Sequence, residues 1–452
     1  MAKTKTAWFC KECGSESPKY MGRCTSCGSW NTLVEQTLVV GKKSSFVQDK
    51  SENTPIPVGE MNSDESPRLD LRSVELNRVL GGGLVMGSLV LLGGEPGIGK
   101  STLALQLSLR LKGTSILYVS GEESYRQLKL RADRIGITNQ DCLLYCETDL
   151  DSVLLQAQQI NPKLVVIDSI QTMMSADIES SPGSVSQVRE CTGKILQFAK
   201  RNNIPFLIIG HITKEGSIAG PKILEHMVDT VLQFEGDQNY VYRIVRSIKN
   251  RFGSTSEIGI FEMQQAGLRE VNNPSELLLT QRDNEISGIA VAATMEGNRP
   301  ILIETQALVS SAAYGTPQRS AIGFDVRRLN MLLAVLEKRV GFKLAFKDVF
   351  LNLAGGIKAD DPALDLSVVC AILSSDLNLT IPQGVCFAAE VGLTGEIRPV
   401  GRVEHRIAEA QKLGFTSVYL SKYNQKGLDA SRFTIQLRFV SRVEEVFQGL
   451  FR

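Results

Sequence analysis

The sequence lacks the features that would assign it to a broad class at once. It has almost no net charge, since 50 lysines and arginines face 49 acids, so the overall charge neither indicates nor excludes a nucleic-acid partner. It contains no apolar run as long as a membrane helix and no internal repeat. No cluster of aromatic and basic residues identifies a DNA-reading surface.

The start of the chain also lacks a targeting signal. "MAKTKTAWFCKECG" is basic, but no apolar stretch follows it, so we expect no secretory signal. With 43% hydrophobic residues and a mean hydropathy of −0.02, the composition is typical of a globular protein. We therefore expect a cytoplasmic protein without a membrane partner.

The chain is long enough for two or three domains, because a single core stops growing at about 250–300 residues. Between residues 67 and 275, helical patterns alternate with apolar runs typical of buried strands: "SLVLLGG", "SILYVSG", "KLVVIDS" and "IPFLIIGH". This alternation predicts an α/β domain with a mainly parallel sheet. Residues 1–34 form a small N-terminal module, residues 35–66 read as a polar linker, and residues 276–452 predict another mixed α/β domain.

Four of the nine cysteines form two pairs in the N-terminal module, Cys10 with Cys13 and Cys24 with Cys27. Each CxxC spacing lets two thiolates hold one side of a metal, and two pairs complete the tetrahedron that zinc prefers. Four thiolates leave no open position, so we predict a structural Zn²⁺. Two disulfides are the alternative, and nothing indicates the oxidising compartment they need. The spacing does not say whether the module contacts nucleic acid or protein.

The segment "GGEPGIGKST" has the complete phosphate-binding-loop pattern, and it lies between a predicted strand and a predicted helix. Glycines allow backbone N–H groups to close around phosphate, and the helix N-terminus favours the anion. Lys100 is expected to reach the β and γ phosphates, and Ser101 to coordinate Mg²⁺. The predicted ATP site consists of Gly94, Glu95, Pro96, Gly97, Ile98, Gly99, Lys100, Ser101 and Thr102.

The acids of this site are predicted from the ends of two other strands. "KLVVIDSI" ends in Asp168, where a P-loop ATPase places the carboxylate that helps to hold Mg²⁺. "SILYVSGEES" ends in Glu122 and Glu123, and one of them can orient the attacking water. We favour Glu122 and keep Glu123 as the alternative. Adjacent acids are also common in the first turn of a helix, without any catalytic role.

Another strand, "IPFLIIGH", ends in His211. At this position a histidine can sense the γ-phosphate and pass the signal into the following loop. It can equally be a core or capping residue, and the sequence leaves both interpretations open.

The segment "VRSIKNRFGSTSEIGIF" predicts two strands joined by a sharp turn that carries Lys249 and Arg251. Residues two apart in an extended chain point to the same side, so we expect the two cations to converge on one anion. A solvated β-turn is the simplest alternative, because turns with two cations are common.

The phosphate-binding loop followed by "SGEES", "LVVIDS" and "GHITKEG" resembles a RecA-type ATPase core, near the DnaB-type hexameric helicases and KaiC-like ATPases. With "CKECG" and "CTSCG" in front and "KNRFG" behind, the whole chain resembles the bacterial RadA (Sms) family of DNA repair and recombination proteins. The resemblance covers all three predicted domains. It implies a DNA-stimulated ATPase that acts on single-stranded and branched DNA with a RecA-type recombinase.

The resemblance also implies what the turn cations bind. RecA-type subunits bind ATP at their interfaces, so Lys249 and Arg251 of one subunit could reach the γ-phosphate held by the next. A DNA phosphate in the central channel of a ring is the competing anion. A homohexamer is implied by the resemblance alone.

The C-terminal domain resembles the α+β proteolytic domain of Lon, but without its catalytic residues. The serine position of that family falls on Ala363 in "DDPALD", and the lysine position falls on Glu404 in "GRVEHRI". A methyl group and a carboxylate cannot replace a Ser–Lys dyad, so we expect the fold without proteolysis and a role in holding the ring. Nearby basic residues either line a DNA-facing surface or begin a solvated helix: Arg398, Arg402, His405 and Arg406.

Two functional hypotheses follow. In the first, the protein is an ATP-driven motor that translocates on DNA and migrates branched recombination intermediates. In the second, it is an ATP-switched adaptor that loads the recombinase and does not translocate. An ATP-dependent protease is disfavoured because of Ala363 and Glu404.

Overall fold

The structure is a computed structural model. It describes residues 3–10, 15–26, 28–40, 57, 67–211, 223–236, 242–279, 286–312, 316–356 and 358–451. The chain divides into two compact units, residues 1–271 and 272–452. Two of the predicted zinc ligands, Cys13 and Cys27, lie outside the described residues, as does most of the predicted linker.

The N-terminal module is a small antiparallel sheet with the order β2-β1-β3. Its strands are β1 (Lys3–Cys10), β2 (Glu16–Ser17) and β3 (Leu33–Val40). β3 pairs with β1 along its whole length, from Leu33 opposite Cys10 to Val40 opposite Lys3. The first residues of the predicted linker, 35–40, are therefore part of this sheet, because a partner strand satisfies their backbone groups.

The rest of the first unit is an α/β core. Its elements in chain order are β4 (Arg68–Leu69), α1 (Val74–Leu80), β5 (Leu84–Val85), β6 (Leu89–Gly94), α2 (Lys100–Arg110), β7 (Ile116–Ser120), α3 (Tyr125–Ile135), β8 (Cys142–Cys146), α4 (Leu150–Ile160), β9 (Leu164–Asp168), α5 (Val185–Asn202), β10 (Phe206–His211), α6 (Ile223–Met227), β11 (Thr230–Glu235), β12 (Tyr242–Asn250), β13 (Ile258–Gln264) and β14 (Gly267–Glu270). A short 3-10 helix, Ile170–Thr172, follows β9.

The core sheet has the order β14-β13-β12-β11-β6-β10-β9-β7-β8. The strands from β11 to β8 in this order are mutually parallel, whereas β12, β13 and β14 form antiparallel pairs at the other side. The four apolar runs of the sequence are β6, β7, β9 and β10, which confirms the predicted α/β core. Such strands are apolar throughout because helices cover both faces of a parallel sheet.

Alternate residues of β6 show the two covered faces. Val90 and Leu92 belong to the apolar cluster that contains α2, whereas Leu89 and Leu91 belong to the cluster that contains α4 and α5. All four side chains are at most 2% exposed. Each fully buried aliphatic side chain contributes about 1.5–3 kcal/mol, so β6 is held firmly at the centre of the sheet.

The second unit contains another mixed sheet, with the order β17-β18-β16-β15-β19-β22-β23. Its elements are α7 (Pro274–Leu278), β15 (Ile289–Glu296), β16 (Arg299–Ser311), β17 (Arg319–Ile322), α8 (Val326–Val335), β18 (Lys347–Leu353), α9 (Asp365–Leu377), β19 (Val385–Ala388), β20 (Glu390–Val391), β21 (Ile397–Arg398), α10 (Val403–Lys412), β22 (Ser417–Ser421), β23 (Gln436–Val440) and α11 (Val443–Phe451). Helix α9 is buried along most of its length, from Asp365 to Ser374. A search of the described residues finds no helix that could cross a membrane.

Candidate nucleotide-binding site

The phosphate-binding loop joins the carboxyl end of β6 to the start of α2. Gly97 and Gly99 have positive φ angles of 78° and 114°, which residues with a side chain rarely adopt. A Cβ atom on Gly94 would lie 2.7 Å from the carbonyl oxygen of Phe234, and one on Gly99 would lie 2.6 Å from Met263 Cε. The loop therefore needs glycine both for its turns and for its close fit to β11 and β13.

Lys100 is the first residue of α2, and its side chain bends back over the loop. Its Nζ donates hydrogen bonds to the carbonyl oxygens of Gly94 and Glu95, at 2.8 and 2.9 Å. The residue is only 4% exposed, and burial lowers the pKa of Lys100 to about 8. The ammonium group is thus placed inside the loop, where the phosphates of a nucleotide would be bound.

Ser101 and Asp168 meet beside the loop. Ser101 Oγ donates to Asp168 Oδ1 at 3.1 Å, and Tyr118 Oη donates to Asp168 Oδ2 at 2.7 Å. Burial raises the pKa of Asp168, although these two hydrogen bonds lower it in part. A hydroxyl beside a carboxylate, next to a phosphate-binding loop, is the oxygen donor set that Mg²⁺ takes in P-loop ATPases. These residues therefore fit Mg²⁺ bound with a nucleotide.

The two adjacent glutamates have different surroundings. Glu123 is half-buried, forms an ion pair with Arg131 of α3, and has a pKa raised by burial. Glu122 is exposed and accepts a 2.5 Å hydrogen bond from Ser169 Oγ, the residue after Asp168. Because Glu123 is engaged with α3, the geometry favours Glu122 as the carboxylate that faces a bound nucleotide.

His211 ends β10, which lies next to β6. Its backbone pairs with Gly94, the first glycine of the phosphate-binding loop, in the register of the two strands. The structure thus brings the backbone of His211 to the nucleotide end of the sheet, as its place in the sequence predicts. The role of its side chain remains a prediction.

The turn that carries Lys249 and Arg251 lies at the opposite end of the sheet. Asn250 pairs with Thr230 of β11, and Thr230 is level with Val90 near the start of β6. Gly94 is four residues further along β6, which is about 13 Å at the usual rise per residue. These two cations therefore do not reach the nucleotide site of their own chain.

Lys249 binds the end of helix α6. Its Nζ donates to the carbonyl oxygens of Glu225, His226 and Val228, at 2.6, 3.3 and 2.8 Å. Burial and the nearby charge of Arg251 lower the pKa of Lys249. A cation in this position satisfies carbonyl groups that the helix leaves unpaired and interacts favourably with its dipole.

Arg251 has a different partner, Asp229. One of its guanidinium nitrogens lies 3.5 Å from Asp229 Oδ1, and the arginine side chain is 54% exposed while the aspartate is 4% exposed. The other carboxylate oxygen of Asp229 accepts from the backbone N–H of Leu89, at the start of β6. Within one chain the two cations therefore have different partners, and their convergence on an anion of another molecule stays a prediction. The strand ends at Asn250, so the alternation that placed them on one side does not extend to Arg251.

Four residues around these sites were not predicted: Tyr118, Arg131, Ser169 and Asp229. Tyr118 lies in an apolar run in which nothing distinguishes it from a core residue. The other three are recognised only from their neighbours in space: Arg131 pairs with Glu123, Ser169 donates to Glu122, and Asp229 accepts from Leu89. These neighbours follow from the tertiary fold, and no local sequence pattern indicates them.

The described part of the N-terminal module fits a zinc site. Cys10 and Cys24 are 0% and 3% exposed, and both belong to one small cluster with Leu33. The thiol of Cys10 lies 3.1 Å from Thr32 Oγ1, and that of Cys24 lies 3.1 Å from Ser15 Oγ. One cysteine from each CxxC pair is thus brought into the same cluster, as a tetrahedral site of four thiolates requires.

In the second unit, the residues at the positions of the Lon dyad are not arranged for proteolysis. Ala363 is fully buried, while Glu404 lies 3.6 Å from Arg432 at the surface. Between the two segments, Arg406 donates to Asp361 Oδ2 at 2.6 Å. Arg406 is therefore a core residue, and the expectation that it lines a solvated or DNA-facing surface is wrong.

The other three basic residues of that segment remain at the surface. Arg398 pairs with Glu390 and Glu396, and Arg402 donates to the carbonyl oxygen of Gly297 at 2.6 Å. His405 is exposed. Both arginines are therefore engaged within the unit, and a contact of this segment with DNA stays a prediction.

Comparisons with known proteins match every part of the chain. Residues 61–217 match a family model described as an AAA domain, residues 8–35 match the rubredoxin metal binding domain, and residues 314–424 match subunit ChlI of Mg-chelatase. The DNA repair protein RadA of Bacillus subtilis (strain 168) is 52% identical over 433 residues, which are 94% of this chain and 94% of that protein. The DNA repair protein RadA of Halalkalibacterium halodurans is 48% identical over 453 residues, 99% of both chains.

A solved structure gives a more distant match. The KaiC-like protein of Pyrococcus horikoshii is 21% identical, with a TM-score of 0.39, and the match covers 46% of this chain and 99% of that one. The relatives and the family models together confirm the predicted fold class. It consists of a RecA-type P-loop ATPase core, a zinc-ribbon module in front of it and a Lon-protease-like α+β domain behind it.

Proposed function

This chain belongs to the RadA family of DNA repair proteins, and from that premise we propose that it is an ATP-driven motor. It would translocate on single-stranded DNA and migrate branched recombination intermediates together with a RecA-type recombinase. The observation that carries the proposal is the contact of Ser101 with Asp168 beside Lys100, which is the constellation of a hydrolysing P-loop ATPase.

Within this proposal, each residue of the site has one task. Lys100 neutralises the β and γ phosphates, while Ser101 and Asp168 hold Mg²⁺, which would stabilise charge on the transferred phosphoryl group. Glu122 orients the attacking water, and its hydrogen bond from Ser169 fixes the carboxylate beside Asp168. His211 reports the state of the γ-phosphate to the loop that follows β10.

The position of Arg251 supports a ring. It is half-exposed at the end of the sheet opposite its own phosphate-binding loop, so a phosphate that it contacts must belong to another molecule. A head-to-tail ring, in which one end of the sheet faces the next subunit's loop, brings such a cation to a neighbouring nucleotide. We therefore include a homohexamer, with the second unit helping to hold it together.

The test is to measure the ATPase rate and the unwinding of a forked DNA for the wild type, Lys100→Ala and Arg251→Ala, each with and without single-stranded DNA. We expect DNA to stimulate ATP hydrolysis by the wild type, and both variants to lose unwinding. Lys249→Ala is measured alongside, although its contacts with α6 make it a less selective variant.

Two outcomes would contradict the motor. If the purified wild type does not hydrolyse ATP under any of these conditions, the assignment of the site fails. If it hydrolyses ATP on DNA but never unwinds or migrates a branch, the second hypothesis, an ATP-switched adaptor that loads the recombinase, becomes the better description.

A further inference from the structure

The N-terminal module exposes two aromatic side chains on one short hairpin. Trp30 is 69% exposed and Tyr20 is 50% exposed. Tryptophan is strongly buried on average, and this chain has only two. The other one, Trp8, packs against the cluster that contains Cys10 and Cys24. Trp30 is thus the one tryptophan of the chain that faces outward.

The exposed rings are held in place. The Arg23 guanidinium carbon lies 5.7 Å from the centroid of the Trp30 ring, and Arg23 Nε donates to the carbonyl oxygen of Gly28 at 2.9 Å. Arg23 and Trp30 also pair across the hairpin as an isolated antiparallel bridge. The Tyr20 ring meets the Trp8 ring edge to face, with centroids 4.9 Å apart. Rings fixed in this way lose little conformational entropy when a ligand stacks on them.

The charged residues of the hairpin segment are basic, and the nearest acids in the sequence, Glu16 and Glu35, lie on the strands that flank it. From residue 17 to residue 34 the sequence contains Lys19 and Arg23 but no aspartate or glutamate. Both cations are exposed. A surface that combines cations with flat aromatic faces, without exposed aliphatic side chains, matches a ligand with phosphates and planar rings. An apolar protein partner would be better matched by aliphatic residues, and a basic one by acids.

We propose that Tyr20, Arg23 and Trp30 form an aromatic platform on which unpaired bases of single-stranded DNA stack, with Lys19 and Arg23 contacting the phosphates. Duplex DNA keeps its bases stacked on one another, so the platform selects single strands. Cys24 follows Arg23 within the hairpin and is buried in one cluster with Cys10, so zinc bound by these cysteines would keep the hairpin rigid. The platform goes beyond the proposed motor because it does not require ATP.

The experiment uses the full-length protein with zinc bound and no nucleotide. Oligothymidylate of about fifteen nucleotides, the upper end of the site size of one single-strand-binding fold, is titrated while tryptophan fluorescence is recorded. We expect quenching in the wild type and none in Trp30→Phe, which leaves Trp8 as the sole emitter. Binding is also measured by fluorescence anisotropy of a labelled oligonucleotide. There we expect Trp30→Ala to weaken binding about tenfold, as the loss of one stacked base does.

Charge and specificity are tested with matched variants. Arg23→Ala should weaken binding and reduce the slope of log affinity against log salt by about 0.7, the value of one phosphate contact on a single strand. Tyr423→Ala is the control, since it removes an aromatic ring that is 68% exposed in the second unit. It should bind the oligonucleotide as the wild type does. Zinc content and the ATPase rate without DNA should be unchanged in every variant, which shows that the fold is intact.

The platform is overturned if Trp30→Ala binds the oligonucleotide as tightly as the wild type. It is also overturned if that variant keeps its affinity for DNA but no longer binds the purified recombinase, because the surface then docks a protein. The result is independent of the motor. Quenching of Trp30 without any ATPase activity would refute the proposed function alone, and ATPase activity without quenching would refute the platform alone.

Discussion

Tyr118 donates a 2.7 Å hydrogen bond to Asp168 and is itself fully buried. The hydroxyl therefore acts on the carboxylate from inside the sheet, where no water replaces it. Without it, Asp168 keeps the bond from Ser101 but loses the one that most directly favours its ionised form. We therefore expect the affinity for Mg²⁺ to depend on Tyr118, which lies two positions before the end of the neighbouring strand β7.

We expect Tyr118→Phe to raise the Mg²⁺ concentration for half-maximal ATPase activity about tenfold or more, because one hydrogen bond to a charged group contributes about 1.5–3 kcal/mol. The pKa of Asp168 should rise further, so the acidic limb of the pH–rate profile moves to higher pH. Tyr145→Phe is the control, since it removes a hydroxyl from the adjacent strand β8. Identical Mg²⁺ curves for the wild type and Tyr118→Phe would contradict this role.

The lowered pKa of Lys100 makes nucleotide binding sensitive to alkaline pH. The free protein loses the ammonium charge as the pH rises through about 8. We expect the affinity for ATP to fall by up to about tenfold per pH unit above that value, because the phosphates then meet a neutral amine. Titrations of a fluorescent ATP analogue from about pH 7 to about pH 9.5 measure this. Lys100→Arg, which stays charged, should show a flat profile, and a flat profile for the wild type would refute the effect.

The lowered pKa of Lys100 also affects the stability of the fold, which should rise with pH where the affinity for ATP falls. Unfolded Lys100 holds its proton up to the usual value of 10.5, whereas folded Lys100 releases it at about 8. The unfolded state therefore binds more protons between these values, and this group makes the ligand-free protein more stable as the pH rises through that window. Lys100→Met should remove this contribution, which denaturant unfolding at about pH 7.5 and about pH 9.5 would show.

Mixed rings test whether Arg251 acts on the nucleotide of a neighbour. Arg251→Ala has an intact phosphate-binding loop, and Lys100→Ala has an intact Arg251. If the contact is made between subunits, an interface is active when it combines the intact loop of an Arg251→Ala subunit with the intact Arg251 of a Lys100→Ala neighbour. In a random ring assembled from an equal mixture, about a quarter of the interfaces have this combination. We expect ATPase activity in the mixture that neither variant has alone. Activity equal to the sum of the two separate variants would exclude a trans contact.

Lys249 and Arg251 should differ in their effect on folding. Lys249 binds three carbonyl oxygens at the end of α6, so we expect Lys249→Ala to lower stability by about 1 kcal/mol and to speed backbone hydrogen exchange in Ile223–Met227. The half-exposed pair of Arg251 with Asp229 contributes little, so Arg251→Ala should leave the unfolding midpoint within experimental error. Equal destabilisation by both variants would contradict this division of roles.

Restoring the dyad residues should not restore proteolysis. Ala363 is fully buried, and its backbone N–H donates to Asp361, which is itself paired with Arg406. A serine at 363 therefore has no access to a peptide, and a lysine at 404 starts from the surface position that Glu404 has now. We expect Ala363→Ser with Glu404→Lys to leave labelled casein intact, with and without ATP. Cleavage above the wild-type background would contradict this prediction, because it would show that these two substitutions are sufficient for proteolysis.

Sequence patterns were informative where chemistry requires particular residues at fixed spacing. The loop from Gly94 to Thr102, the acid Asp168 and the paired cysteines were predicted as sites because phosphate, Mg²⁺ and zinc each accept few arrangements. The structure brings Lys100, Ser101 and Asp168 together, and it brings Cys10 and Cys24 into one cluster. The strand pattern did not predict the separate partners of Lys249 and Arg251 within the chain, since it depends on how far the strand continues. It also failed for Arg406, which is basic in the sequence but buried against Asp361 in the fold.

By itself, the sequence determined the α/β class of the core and the pattern of the phosphate-binding loop, because each depends on local residue types. Only the tertiary structure decided which side chains are in contact. It placed Tyr118 on Asp168, assigned Glu123 to Arg131, bound Lys249 to α6 and turned Trp30 outward. Contacts such as the one between Tyr118 and Asp168 join segments that are far apart in the chain, and they follow from strand order and packing, which no local pattern encodes.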